Sequence, residues 1–116
     1  KSEKNLRDGL KVINTIREQQ IASSANSQYE TDQLDKCQWK VSIEVLNMII
    51  CSELMILSSI KREESRGAFF REEYPETDNK NWIKNITCRL VSGMPVLKTM
   101  PVRLNYCAPA KACKPD

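Results

Sequence analysis

A chain of 116 residues has room for one small domain. With 41% apolar and 28% charged residues it can bury a core under a soluble surface, which excludes disorder throughout. The net charge is only +3 and the bases are interleaved with acids, which excludes a basic nucleic-acid footprint.

The sequence has no His, so the commonest general base and metal ligand is missing. Five cysteines (Cys37, Cys51, Cys88, Cys107 and Cys113) with no CxxC offer neither a zinc site nor an even disulfide framework. Three glycines, Gly9, Gly67 and Gly93, do not make a phosphate-cradling loop. Lys1-Ser2-Glu3-Lys4 is charged with no apolar core behind it, so no signal peptide is expected. Reduced thiols and a cytoplasmic setting follow as the expectation, and the Asn85-Ile86-Thr87 glycosylation pattern then reads as chance.

Ser2 followed by Glu3 predicts a helix start. Leu6, Leu10, Ile13 and Ile16, with Val12 beside them, make one apolar face. Gly9 costs about 1 kcal/mol inside a helix relative to Ala. The composition of Ser23 to Ser27 predicts a loop. A second helix is expected to start near Asp35. It carries two stripes: Trp39, Ile43, Leu46, Ile50, Leu54 and Leu57, then Val41, Val45, Met48, Ile49 and Ser52 with Met55 and Ile56. A hairpin of two helices needs only one stripe, so the second calls for a further partner. The most apolar run, Val45 to Ile60, is interrupted by Asn47, Ser52 and Glu53. It falls short of the ~20 residues that span a bilayer, so no membrane span is expected.

Gly67 is predicted to cap this helix in the left-handed conformation, with Lys61, Arg62 and Arg66 in its last turns. Glu63, Glu64, Glu72, Glu73 and Glu76 read as a solvated charge run with no nucleophile beside them. Asp78 to Asn81 predicts a turn. Two strands follow, Ile86 to Val91 and Val96 to Tyr106, joined through Ser92-Gly93-Met94-Pro95, with Pro101 marking an edge or a break. The tail, 107–116, reads as loose.

One stretch is more specific than its composition. Glu64-Ser65-Arg66-Gly67-Ala68, then Arg71, Tyr74-Pro75, Asp78 and Trp82-Ile83-Lys84 resemble a C-terminal signature of the succinate dehydrogenase and fumarate reductase flavoproteins. That signature runs E-S-R-G-A-H-x-R-x-D-Y-P, R-D-D, then W-L-K-H. Phe69 replaces its His and Glu73 its Asp. Thr77 and Asn79 replace the Arg and second Asp, and Asn85 the final His.

The resemblance covers roughly Leu6 to Tyr106. It implies a mostly α domain over residues 1–106: an antiparallel helical hairpin or small bundle, spectrin-repeat-like, with a short β extension. It implies the C-terminal domain of an FAD-dependent oxidoreductase that moves a hydride between flavin and a dicarboxylate. Aspartate oxidase and adenylylsulfate reductase are relatives sharing that domain. FAD is then expected in the parent protein and none in this chain, whose role is to support the flavin and substrate domains without catalysis. The expected partner is the parent's flavin-binding domain, with a homodimer in isolation and membrane association only through a parent complex. Arg66, Phe69, Arg71, Tyr74 and Trp82 are the candidate inter-domain contacts, with no catalytic, cofactor or metal residues. The alternative is a free-standing helical interaction module without enzymatic activity.

Overall fold

The computed structural model describes residues 1–26, 35–92 and 94–103. The element order is α1 (Glu3–Asn26), α2 (Asp35–Lys61), β1 (Lys84–Val91) and β2 (Met94–Pro101). The chain divides into two compact units, Lys1–Lys61 and Arg62–Asp116.

In the first unit, Ser2 starts α1, as the sequence predicts. Its Oγ accepts from the Asn5 amide at 3.4 Å, which supplies one of the orphan donors of a helix start. The helix then runs through Ser23 to Asn26, where composition predicts a loop. Ser23 explains part of the difference, because its hydroxyl donates back to the carbonyls of Gln19 and Gln20 at 2.9 and 3.0 Å and so accommodates the helical backbone. Ser27 lies outside the described residues.

Helices α1 and α2 pack antiparallel. Gly9 lies against Ile56, whose Cδ1 would sit 3.6 Å from a Cβ built there, and Arg17 pairs with Glu53. Gly9 therefore allows close approach in exchange for its helix penalty. Ile49 is buried, and Val45, Leu46 and Ile56 beside it are half-buried. On one flank Val41, Met48 and Met55 are exposed, and on the other Ile43 and Ile50. The covered side thus draws on both predicted stripes, since consecutive residues of the two lie close around the helix. Val12 is exposed, off the packing face of α1. Lys40–Lys61 is, by length and composition alone, long and apolar enough to cross a membrane, a longer segment than the Val45 to Ile60 run that falls short.

Helix α2 ends at Lys61 and not at Arg66. The amides that would prolong it are taken elsewhere: Ser65 N–H donates to the Glu76 carbonyl at 3.1 Å, and Arg66 N–H to Phe69 at 2.8 Å. Gly67 does adopt φ +58°, as a left-handed residue, but in a different setting. Arg66 and Phe69 exchange both backbone hydrogen bonds across Gly67-Ala68, with positive φ only at the first central residue. That is the pattern of a type II′ turn, which favours Gly at that place.

In the second unit β1 and β2 pair antiparallel from Lys84↔Pro101 to Val91↔Met94. Met94 and Pro95 belong to the strand, so the turn shortens to two residues, and Ser92 turns the chain with φ 51°. The second strand ends at Pro101, short of the expected Tyr106; residues 104–106 lie outside the described ones. A hairpin closed by two residues begins with a hydrogen-bonded pair and then alternates. Pro95 and Pro101 both fall at positions whose amides are not needed. One face carries the half-buried Ile86, Pro95 and Leu97, while Val91, Met94, Val96 and Met100 on the other are exposed. With two helices and a two-stranded sheet the described chain mixes α and β, so the expectation of a mostly helical bundle is corrected. The expected tail, 107–116, lies outside the described residues.

Candidate functional site

The loop between α2 and β1 is held by a buried carboxylate. Glu64 is fully buried, and its Oε1 accepts from Arg62 Nη1 at 2.6 Å and Arg66 Nε at 2.9 Å. Its Oε2 accepts from Arg66 Nη2 at 2.9 Å and the Asp78 amide at 3.1 Å. Burial pushes the Glu64 carboxyl up, but the hydrogen bonds from Arg66, the Asp78 amide and Arg62 outweigh it and leave it below its ordinary value. A buried charge needs this number of donors to offset its lost hydration.

Ser65 is a second hub. Its Oγ accepts from the Arg71 amide at 2.9 Å and donates to the Tyr74 carbonyl at 2.7 Å. Its carbonyl takes the Thr77 hydroxyl at 2.7 Å. Arg71 is also fully buried, with Nε on Glu73 at 3.1 Å, Nη1 on the Arg62 carbonyl at 3.3 Å, and its guanidinium 5.5 Å from the Tyr74 ring centre. Asp78 closes the loop: Oδ1 accepts from the Lys80 and Asn81 amides at 3.0 and 2.9 Å, and Oδ2 from the Asn81 side chain at 2.8 Å. Those donors, the Asn81 amide first, hold its carboxyl below the ordinary value.

Beside this network lies an open cleft of about 270 Å³, lined among others by Arg62, Arg66, Phe69, Trp82, Lys84 and Asn85. Arg62 crosses its wall, 5.5 Å from the Trp82 ring centre, with Nη2 on the Lys84 carbonyl at 3.2 Å. The cleft therefore offers cations and aromatic walls.

The five predicted contact residues separate by environment. Arg66, Phe69 and Trp82 come together at the cleft. Tyr74 is exposed on the far end of the Arg71 stack. Arg71 is buried, so in this structure it holds the loop from inside and offers no contact surface. Neither Arg66 nor Arg71 is a helix-end charge, because α2 has already ended. Glu64 is the larger correction, a buried keystone where the sequence suggests a solvated charge. The signal was its place two residues from both Arg62 and Arg66 in a segment turned by Gly67. Thr77 and Asn79 fill their altered positions with neutral partners, Asn79 Oδ1 accepting from Arg66 Nη2 at 3.0 Å.

The described residues offer no glycine-rich turn that would cradle the phosphates of FAD. Neither described glycine joins a strand to a helix start: Gly9 is within α1 and Gly67 is in the II′ turn. The described network also pairs no nucleophile with a base. Its chemistry is that of a rigid clamp beside a cationic cleft.

Comparison with known proteins gives these residues a context. The family profile described as "Fumarate reductase flavoprotein C-term" matches residues 1–114. An uncharacterized FAD-dependent oxidoreductase of Methanocaldococcus jannaschii is 44% identical over 43 residues, 37% of this chain and 8% of that protein. A fumarate reductase (CoM/CoB) subunit of Methanothermobacter marburgensis is 42% identical over 45 residues, 39% of this chain and 8% of its own length. The succinate dehydrogenase flavoprotein subunit of Rickettsia conorii is 33% identical over 64 residues, 54% of this chain and 11% of that protein. Among solved structures, a mutated FrdA chain of E. coli quinol fumarate reductase superposes with a TM-score of 0.80 at 23% identity. It covers 96% of this chain and 19% of FrdA, a likeness of fold. The chain thus spans about a fifth or less of the proteins it matches.

Proposed function

Since the chain belongs to the family of fumarate reductase flavoprotein C-terminal domains, we propose that it serves as the supporting domain of an FAD-dependent oxidoreductase acting on a dicarboxylate such as succinate or fumarate. The match over residues 1–114 carries this reading. In it, FAD and the reacting dicarboxylate are held by the rest of the parent protein. This chain contributes no catalytic group, and its loop network keeps a docking surface rigid. The relatives' names supply the cofactor and the substrate class.

The exposed apolar flank of α2, Val41, Met48 and Met55, is in this proposal the surface covered by the flavin-binding domain. The apolarity of Lys40–Lys61 is then that of a helix packed on two sides and not that of a membrane span. Arg17 and Glu53 pair midway along it, in a position suited to a helix–helix contact. In isolation the same flank would close on a second copy by twofold symmetry.

The test is Met48→Glu with Met55→Glu in the flavoprotein that carries this segment. Each large apolar side chain withdrawn from burial forfeits roughly 1.5–3 kcal/mol. The proposal predicts a lowered melting temperature and faster loss of flavin. Unchanged melting and flavin retention would show that this flank stays in water. Sedimentation of the isolated chain adds the second arm: dimeric wild type and monomeric Met48→Glu are expected, and a monomeric wild type at high concentration rules the dimer out.

A further inference from the structure

The cleft of the second unit carries a surplus of donors that its own loop does not use. Arg66 spends Nε and Nη2 on Glu64 and Asn79, which leaves Nη1 with no acceptor among the described residues. The Lys84 ammonium and the Asn85 side-chain amide make no hydrogen bond or ion pair with the described residues, although both residues line the cleft. Arg62 donates Nη1 to Glu64 and Nη2 to the Lys84 carbonyl, which fixes the wall between them. The two acids nearby are committed. Glu64 accepts four hydrogen bonds, and Asp78 is occupied by Lys80 and Asn81. Spare donors with no spare carboxylate select an anion. The indole of Trp82 and the ring of Phe69 add apolar walls that a bare inorganic ion would leave in water.

We propose that this cleft is a docking socket for an acidic peptide segment, whose side-chain carboxylate is held by Arg66 and Lys84 while a neighbouring apolar side chain lies on Trp82 and Phe69. A carboxylate matches the planar guanidinium and takes the lysine as a second point charge. The open cleft of about 270 Å³ suits one or two side chains of a passing strand of polypeptide. The inference stands on the cleft alone and does not require the flavoprotein reading.

The test is an NMR titration of the 15N-labelled chain with the capped tripeptide acetyl-Leu-Glu-Leu-amide, with acetyl-Leu-Gln-Leu-amide as the uncharged control. The Trp82 indole and the amides of Lys84 and Asn85 should shift and saturate with the Glu peptide. The Gln peptide should bind about tenfold more weakly, equivalent to 1.4 kcal/mol. Lys84→Gln, a change on a strand at the chain surface, should weaken the Glu peptide similarly, and raised salt should do so for the wild type. Equal binding of the two peptides would overturn the carboxylate socket. Inorganic phosphate or succinate binding as tightly as the peptide would make it a small-anion site and overturn the peptide occupant. No shift at peptide concentrations of tens of millimolar would overturn it outright. None of these outcomes alters the flavin retention that tests the proposed function.

Discussion

Replacing Glu64 by Gln keeps the side-chain shape and removes the charge around which the loop is arranged. With the amide oxygen in the place of Oε1, Arg62 and the Arg66 Nε keep an acceptor. The NH2 group then faces Arg66 Nη2 and the Asp78 amide, which are both donors. Two hydrogen bonds to a charged acceptor are lost, at about 1.5–3 kcal/mol each. The Arg66 side chain is 37% exposed and recovers part of its hydration, so the sum falls near the lower end. A loss of about 3 kcal/mol follows, a large share of the 5–15 kcal/mol that holds a small domain together. The chain has two Trp, so in a Trp39→Phe background the emission of Trp82 reports the second unit through a urea titration. A midpoint that falls steeply at unchanged slope supports the reasoning. A change below about 0.5 kcal/mol, the size of an ordinary surface substitution, would refute it.

The same carboxylate sets a pH dependence. Its folded-state value lies below the unfolded value of about 4.3. The stabilisation is therefore fully present above that pH and is lost as pH falls through the lower folded value, with Asp78 acting in the same direction. Unfolding midpoints measured from neutral pH down to acid should fall more for the wild type than for Glu64→Gln; parallel curves would contradict this. Gly67→Ala should cost about 1 kcal/mol through the left-handed φ of +58° alone, since a Cβ there meets no atom within 4 Å. An unmoved urea midpoint would mean that the turn relaxes freely. In the first unit, Glu53→Gln should lower stability by about 1 kcal/mol, because it leaves the partly buried Arg17 without its counter-charge. Thermal melting followed by helical circular dichroism measures the effect, and an unchanged melt would class the pair as surface decoration.

The parts of the fold governed by local periodicity and caps were legible in the sequence. Ser2 marks the start of α1 because a cap acts within one turn, and α2 starts at Asp35, where the sequence places it. The Asp78 turn was legible for the same reason, its carboxylate reaching amides two and three residues on. The end of α2 was not, because the amides of Ser65 and Arg66 are claimed by partners that no helical pattern reveals, Glu76 among them eleven residues away. Gly67 shows the mixed case: positive φ could be read from the residue type, but whether a cap or a hairpin turn used it depended on Phe69. At the site, the order of residues signalled kinship before geometry did. The burial of Glu64 and Arg71 is not legible in the sequence, because charge runs are usually solvated and only the folded loop brings Arg62, Arg66 and Asp78 onto one carboxylate.

The mass and flavin content of the native polypeptide carrying this sequence, recovered from its source by antibody to the chain, test the central claim most directly. The expected result is a polypeptide of which this chain is about a fifth, as it is of the FrdA chain, with tightly bound FAD. A flavin-free protein of 13.3 kDa would contradict it.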